Sequence, residues 1–131
     1  MPADVHPTTD RETDLTVNEF MRNNREPGSP DSMRIVAKIE CHDGFRISVQ
    51  GHYGAYCTPR RNGEHYYSQV ECGFPSAPVP ELAQWKDGDR DNRESDTESV
   101  YGYVPVEVVA ELLNKHGGIK GPYVFPEKAN G

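Results

Sequence analysis

Apolar side chains at Val106, Val109, Ala110 and Leu113 recur with the i, i+3, i+4, i+7 spacing of one helix face. Val108 and Leu112 widen that stripe, while Glu107, Glu111, Asn114 and Lys115 gather on the opposite side. The spacing predicts one main C-terminal helix with a buried face and a wet face. Pro105 suits its first position, where the missing N–H is not needed, and Gly117-Gly118 supplies the left-handed backbone that ends helices. Val100 to Val104 reads as a strand feeding it.

Earlier in the chain the period changes from 3.6 to 2. Ile35, Ala37, Ile39 and Cys41 alternate with Val36, Lys38, Glu40 and His42, and Phe45, Ile47 and Val49 alternate with Arg46, Ser48 and Gln50, with Asp43-Gly44 between the two runs. A two-residue loop would put the apolar sets on opposite faces. The three-residue loop His42-Asp43-Gly44 instead pairs Cys41 with Phe45, Ile39 with Ile47 and Ala37 with Val49, so the pattern predicts that loop with Gly44 left-handed. Residues 51–64 are glycine-punctuated and end in an Asn62-Gly63 turn signal. A strand follows, with Tyr66, Ser68, Val70, Cys72 and Phe74 on one face and Tyr67, Gln69 and Glu71 on the other. Pro75, Pro78 and Pro80 then interrupt the sheet, and Glu81 to Trp85 makes one or two helical turns. Residues 86–99 read as a charged loop, and Tyr123, Val124 and Phe125 as a short edge strand.

Residues 1–32 carry four prolines and few large apolar side chains, Leu15, Val17, Phe20 and Met21 the only ones close together, too few to fold alone. Thr16-Val-Asn-Glu19 has the capping-box form, so a helix running to about Arg25 is expected when Val17, Phe20 and Met21 meet a partner's surface. The expected organisation is a disordered or partner-folded extension over 1–32, one α+β domain over 33–125 and a tail over 126–131. Within the domain, an antiparallel sheet of about four strands carries the main helix on its apolar face.

Composition narrows the function classes. The 131 residues are 34% hydrophobic and carry 21 Asp and Glu against 14 Lys and Arg, a formal net charge of −7. That charge repels phosphate backbones and anionic lipid at long range, which disfavours direct nucleic-acid binding and favours a partner with a basic surface. No apolar run reaches membrane-spanning length and the N-terminus lacks the basic-then-apolar layout of a secretory signal, so the expected compartment is the cytoplasm. Three cysteines, an odd number at wide spacing, argue against a disulfide framework and for reduced thiols.

Two groups of residues carry candidate chemistry. Asp87, Asp89, Asp91, Ser95 and Glu98 place oxygen ligands at positions one, three, five, nine and twelve of a loop, the EF-hand spacing for calcium. Asn92 stands where glycine is wanted, however, and a strand, not a helix, follows; a solvated acidic loop is the competing reading. Tyr53, Tyr56, Arg60, Arg61, His65, Tyr66 and Tyr67 form one basic and aromatic cluster, residue types that anchor protein interfaces and also stack bases. Cys41, His42, Cys57, His65 and Cys72 invite a zinc reading, but no Cys-x2-Cys pair is present, and Cys41 and Cys72 sit in the apolar register of their strands. No nucleophile elbow, phosphatase loop or glycine-rich helix entry is found, so no catalytic residues and no resident cofactor are expected. His116, at the helix C-terminus, reads as a cap.

Tyr56-Cys-Thr-Pro-Arg60, Val70-Glu-Cys-Gly-Phe-Pro-Ser76, Val100-Tyr-Gly-Tyr-Val-Pro105 and His116-Gly-Gly-Ile119 together resemble small accessory proteins carried by tailed-phage and prophage genomes, over about residues 33–120. The resemblance implies a bacterial host cell and a protein that binds and inhibits a host enzyme or defence complex. The residues expected to contact such a partner are Val17, Phe20, Met21, Tyr53, Tyr56, Arg60, Arg61 and Tyr67. The alternative is a small-ligand or calcium-binding domain built on the acidic loop or the Tyr/Arg cluster.

Overall fold

Five short segments, the first three alternating buried with half-buried residues, build one antiparallel sheet: β1 (Ile39–Cys41), β2 (Arg46–Gln50), β3 (Gln69–Gly73), β4 (Val100–Pro105) and β5 (Ile119–Pro122), in the order β4-β3-β2-β1-β5. The computed structural model describes residues 16–29, 32–87 and 95–123. The first four strands form a meander, and the helix carries the chain from the β4 edge to the β5 edge. The fold class is therefore the expected α+β arrangement.

The β1–β2 hairpin has the predicted register, Ile39 opposite Ile47, with Cys41 N–H donating to Phe45 O at 2.8 Å and Gly44 at φ 96°. Upstream of Ile39 the expected ladder ends. Residues 24–26 pair there instead: Glu26 N–H donates to Ile35 O at 2.9 Å and Ala37 N–H to Asn24 O at 2.8 Å. Val36, not Ile35, turns inward. Its two backbone groups are met by one side chain, for Gln50 Oε1 accepts Val36 N–H at 2.8 Å and Gln50 Nε2 donates to Val36 O at 2.9 Å.

The main helix, Val106–Lys115, buries Val106, Val109, Ala110, Leu112 and Leu113 over Ile39, Cys41, Ile47, Val49, Val70, Cys72, Tyr101 and Val104. Each large aliphatic side chain removed from water there contributes about 2 kcal/mol. Pro105 precedes the helix as its cap instead of opening it, because it is the last residue of β4, paired opposite Gln69. Gly117 and Gly118, at φ 90° and 88°, end it as expected, with Gly118 N–H returning to Leu113 O at 2.9 Å. The turn after Pro80 takes 3-10 form over Pro80–Trp85.

The N-terminal extension requires a correction. Residues 16–23 are helical, we call them α1 and the main helix α2, and Val17, Phe20 and Met21 lie in the chain's own core at 0%, 7% and 1% exposure. Asn18 on α1 binds the backbone of Tyr67. Among the described residues the boundary expected at Met33 does not exist, because the apolar face of α1 finds its surface within the same fold. Residues 1–15, Val124, Phe125 and the 126–131 tail lie outside the described residues. The far edge strand is Ile119–Pro122, where an edge position tolerates Pro122.

Candidate functional site

Residues 51–60 form a loop pinned from beneath. Ala55 and Cys57 are buried, Cys57 Sγ donates to His52 O at 3.2 Å, Tyr53 N–H donates to Asn62 Oδ1 at 2.7 Å, and Thr58 N–H donates to Gln69 O at 2.9 Å. With the backbone so fixed, Tyr53 and Tyr56 face outward at 69% and 37% exposure. The Arg60 guanidinium lies 5.1 Å from the centroid of the Tyr56 ring and its Nε donates to Tyr53 O at 3.2 Å.

A neighbour from β4 completes the site. The register between β3 and β4 shifts between Val70 and Cys72, and this bulge breaks the alternation that would place Tyr103 on the same side as buried Tyr101. Tyr103 is turned out instead, 41% exposed, with φ 55°. Its N–H donates to Tyr56 O at 2.9 Å and its ring stacks on Tyr56 at 5.8 Å and 23°. Gly102 makes room for this approach: a Cβ there would meet Tyr56 Cβ at 3.1 Å. Below the row, half-buried Glu71 accepts the Tyr56 N–H at 3.4 Å. Burial raises the Glu71 pKa, the Tyr56 hydrogen bond opposes that rise, Asp87 adds to it and Arg60 offsets it.

Tyr53, Tyr56 and Arg60 thus come together as expected. Tyr67 does not join them. It is 1% exposed, its hydroxyl donates to Arg61 O at 2.7 Å and accepts Glu64 N–H at 3.2 Å, and its ring packs against Gly51. It is a core pillar because the chain before Gln69 is not strand, so the alternation that assigned its face does not extend to it. Arg25 lies 5.8 Å from the same ring; burial lowers its pKa, and its Nη2 is buried with no hydrogen-bond partner among the described residues. Arg61 is engaged with Glu64 at 3.8 Å. Val17, Phe20 and Met21 are core residues and contribute no contact surface.

Of the proposed calcium ligands, Asp89 and Asp91 lie outside the described residues. Ser95 Oγ lies 3.1 Å from Thr97 Oγ1, and Glu98 closes a 3-10 turn over Asp96–Glu98. The acid that the fold uses is Asp96, absent from the calcium set: its carboxylate accepts Val79 N–H at 2.8 Å and lies 3.3 Å from Lys86 Nζ. Among the described residues no group of three or more His, Cys, Asp or Glu side chains could hold a metal ion. Cys41, Cys57 and Cys72 are free and buried, and burial pushes all three thiols up, Cys41 to about 11, so they stay protonated at neutral pH.

Tyr103, Glu71 and Gly102 were not singled out in the sequence. The one signal was the glycine between two tyrosines in a strand, a mark of close backbone approach. Comparison with protein-family models, with curated proteins and with solved structures finds no match to this chain. No helix among the described residues is long and apolar enough to cross a membrane.

Proposed function

We propose that this protein is a non-enzymatic docking module that presents the Tyr53, Tyr56 and Tyr103 row, flanked by Arg60 and Glu71, to a protein partner with a basic surface. The observation that carries this reading is Tyr103, a bulky residue held at positive φ with its ring exposed and stacked on Tyr56. Such a backbone costs on the order of 1 kcal/mol and persists where the surrounding fold enforces it, most often at binding surfaces. Tyrosine and arginine supply large, stiff contact area at small entropic cost and dominate interface energetics. A net charge of −7 steers a basic partner toward the molecule. In the context that the phage resemblance implies, the partner is a host enzyme or defence complex and binding inhibits it.

The test compares capture of polypeptides from bacterial lysate by the immobilised protein and by Tyr53→Ser and Tyr103→Ser variants of unchanged melting temperature. Loss of the same captured polypeptide from both variants supports the row as the contact. Undiminished capture by both removes it.

A further inference from the structure

On the sheet face away from α2, a cleft of about 450 Å³ opens between the residue that leads into β1, the start of β2 and the segment after β3. Lys38 and Arg46 line it together with Phe74, Ser76, Thr97 and Tyr123. Its size falls within the range of small-ligand sites. Two cations line this cleft in a strongly acidic chain, and among the described residues no carboxylate pairs with either. Glu40 is the cross-strand neighbour of Arg46, yet the guanidinium lies over the Tyr123 ring at 4.5 Å from its centroid and makes no ion pair with Glu40. Lys38 likewise makes no ion pair, and the like charge of Arg46 bears on it. Burial, and then that like charge, lower the Lys38 pKa. Two unneutralised cations sharing a partly desolvated cleft are costly unless an anion joins them.

The walls add the second half of the recognition chemistry. Phe74 is 50% exposed at φ 49°, so the chain accepts left-handed backbone in a bulky residue to hold a ring at the edge of this cleft. The segment is locked in that position by two bonds to Arg46: Arg46 N–H donates to Ser76 Oγ, and Ser76 N–H donates to Arg46 O, both at 2.8 Å. Phe74 N–H donates to Ser99 O at 3.0 Å. Rigid aromatic surface thus stands beside paired cations and two hydroxyl side chains.

We propose that this cleft binds a small aromatic phosphomonoester of mononucleotide size, its phosphate held by Lys38 and Arg46 and its ring packed on Phe74. The overall acidity of the protein slows the approach of such a ligand but does not oppose it locally, because screening confines distant charge to about 10 Å. The site shares no residue with the tyrosine row, so either can stand without the other.

Titration calorimetry with phenyl phosphate, adenosine monophosphate, inorganic phosphate and adenosine tests it. The phosphomonoesters should bind saturably, and inorganic phosphate and adenosine each about tenfold more weakly or worse, since each lacks one half of the recognition. Lys38→Gln removes a side chain that makes no hydrogen bond among the described residues, so it should keep the melting temperature and weaken phenyl phosphate about tenfold, as should Arg46→Gln. Phe74→Ala should weaken phenyl phosphate and leave inorganic phosphate unchanged. Absence of saturable heat at millimolar phenyl phosphate overturns the proposal, as does equal affinity for inorganic phosphate, or binding that survives Lys38→Gln.

Discussion

The Asn18 side chain holds both backbone groups of Tyr67: its Oδ1 accepts the Tyr67 N–H at 2.6 Å and its Nδ2 donates to the Tyr67 carbonyl at 3.2 Å. A carboxamide thereby supplies the partner that a neighbouring strand would otherwise give, and it locks α1 to residues distant in sequence. Gln50 does the same for Val36. Asn18→Ala leaves two backbone groups of a buried segment unpaired, at about 1–3 kcal/mol for each such group. Thermal unfolding should therefore show a melting temperature lower by roughly 10 °C. Removing α1 altogether should destabilise further. An unchanged transition on deletion of residues 1–24 would mean that the helix is not part of the folding unit.

These clamps mark where the sequence stops being informative. The α2 stripe and the hairpin register were legible because each rests on a local period, and a one-residue slip would have exposed every apolar side chain of β1. The docking of α1 was not, since three apolar residues in a polar segment look the same whether their surface belongs to this chain or to another. Tyr66 and Tyr67 were assigned to opposite faces from an alternation that holds only within Gln69–Gly73. Of the site, Tyr53, Tyr56 and Arg60 were visible as residue types. Tyr103 was hidden, because a bulge across two strands, not any local pattern, decides which way it points.

Two glycines allow the fold and the site to be separated. A Cβ at Gly51 would lie 2.9 Å from Cγ of the Tyr67 ring, inside the core, so Gly51→Ala should cost about 1–3 kcal/mol as an overpacked position. At Gly102 the contact is looser and at the surface, 3.1 Å to Tyr56 Cβ, and a displacement of a few tenths of an ångström relieves it at the expense of the tyrosine row. Gly102→Ala should leave the denaturation midpoint nearly unchanged while weakening capture of the partner. Equal loss of stability in both variants would show that the tyrosine row is structural.

Phe74 should be replaceable at a profit in stability. Its φ of 49° suits glycine, and the ring is half exposed. Phe74→Gly should raise stability by about 0.5–1 kcal/mol, the relief of left-handed strain less the extra chain entropy of glycine. Urea unfolding measures it. A destabilised variant would mean that the ring packs more tightly than its exposure indicates.

The thiols should be silent. Cys41, Cys57 and Cys72 are buried and their thiolates are disfavoured, so a disulfide reagent at pH 8 should modify them only as fast as the protein opens. Labelling should accelerate with urea across the unfolding transition. Rapid labelling of one cysteine in native buffer would identify an accessible thiol that the packing does not provide.

The acid limb of stability should depend on Asp43. Its carboxylate accepts the Phe45 N–H at 2.9 Å within the hairpin loop, and its Oδ2 lies 2.7 Å from His116 Nδ1 at the end of α2. The imidazole also stacks on Phe45 at 4.0 Å and 8°, so loop and helix terminus are joined twice. The Phe45 hydrogen bond first, and the His116 contact second, hold the Asp43 pKa below its ordinary value. A carboxyl whose folded pKa is depressed contributes stability that is present above the unfolded pKa, about 3.9, and is lost as pH falls through the folded value. Asp43→Asn keeps an oxygen for Phe45 but no charge. The wild type should therefore melt higher than the variant at pH 6, and the gap should close on acidification below about pH 4. Because Asp43 is exposed, the gap at pH 6 should also shrink in high salt. A gap that persists undiminished to pH 2 would show that the aspartate acts through loop geometry alone, with its charge contributing nothing.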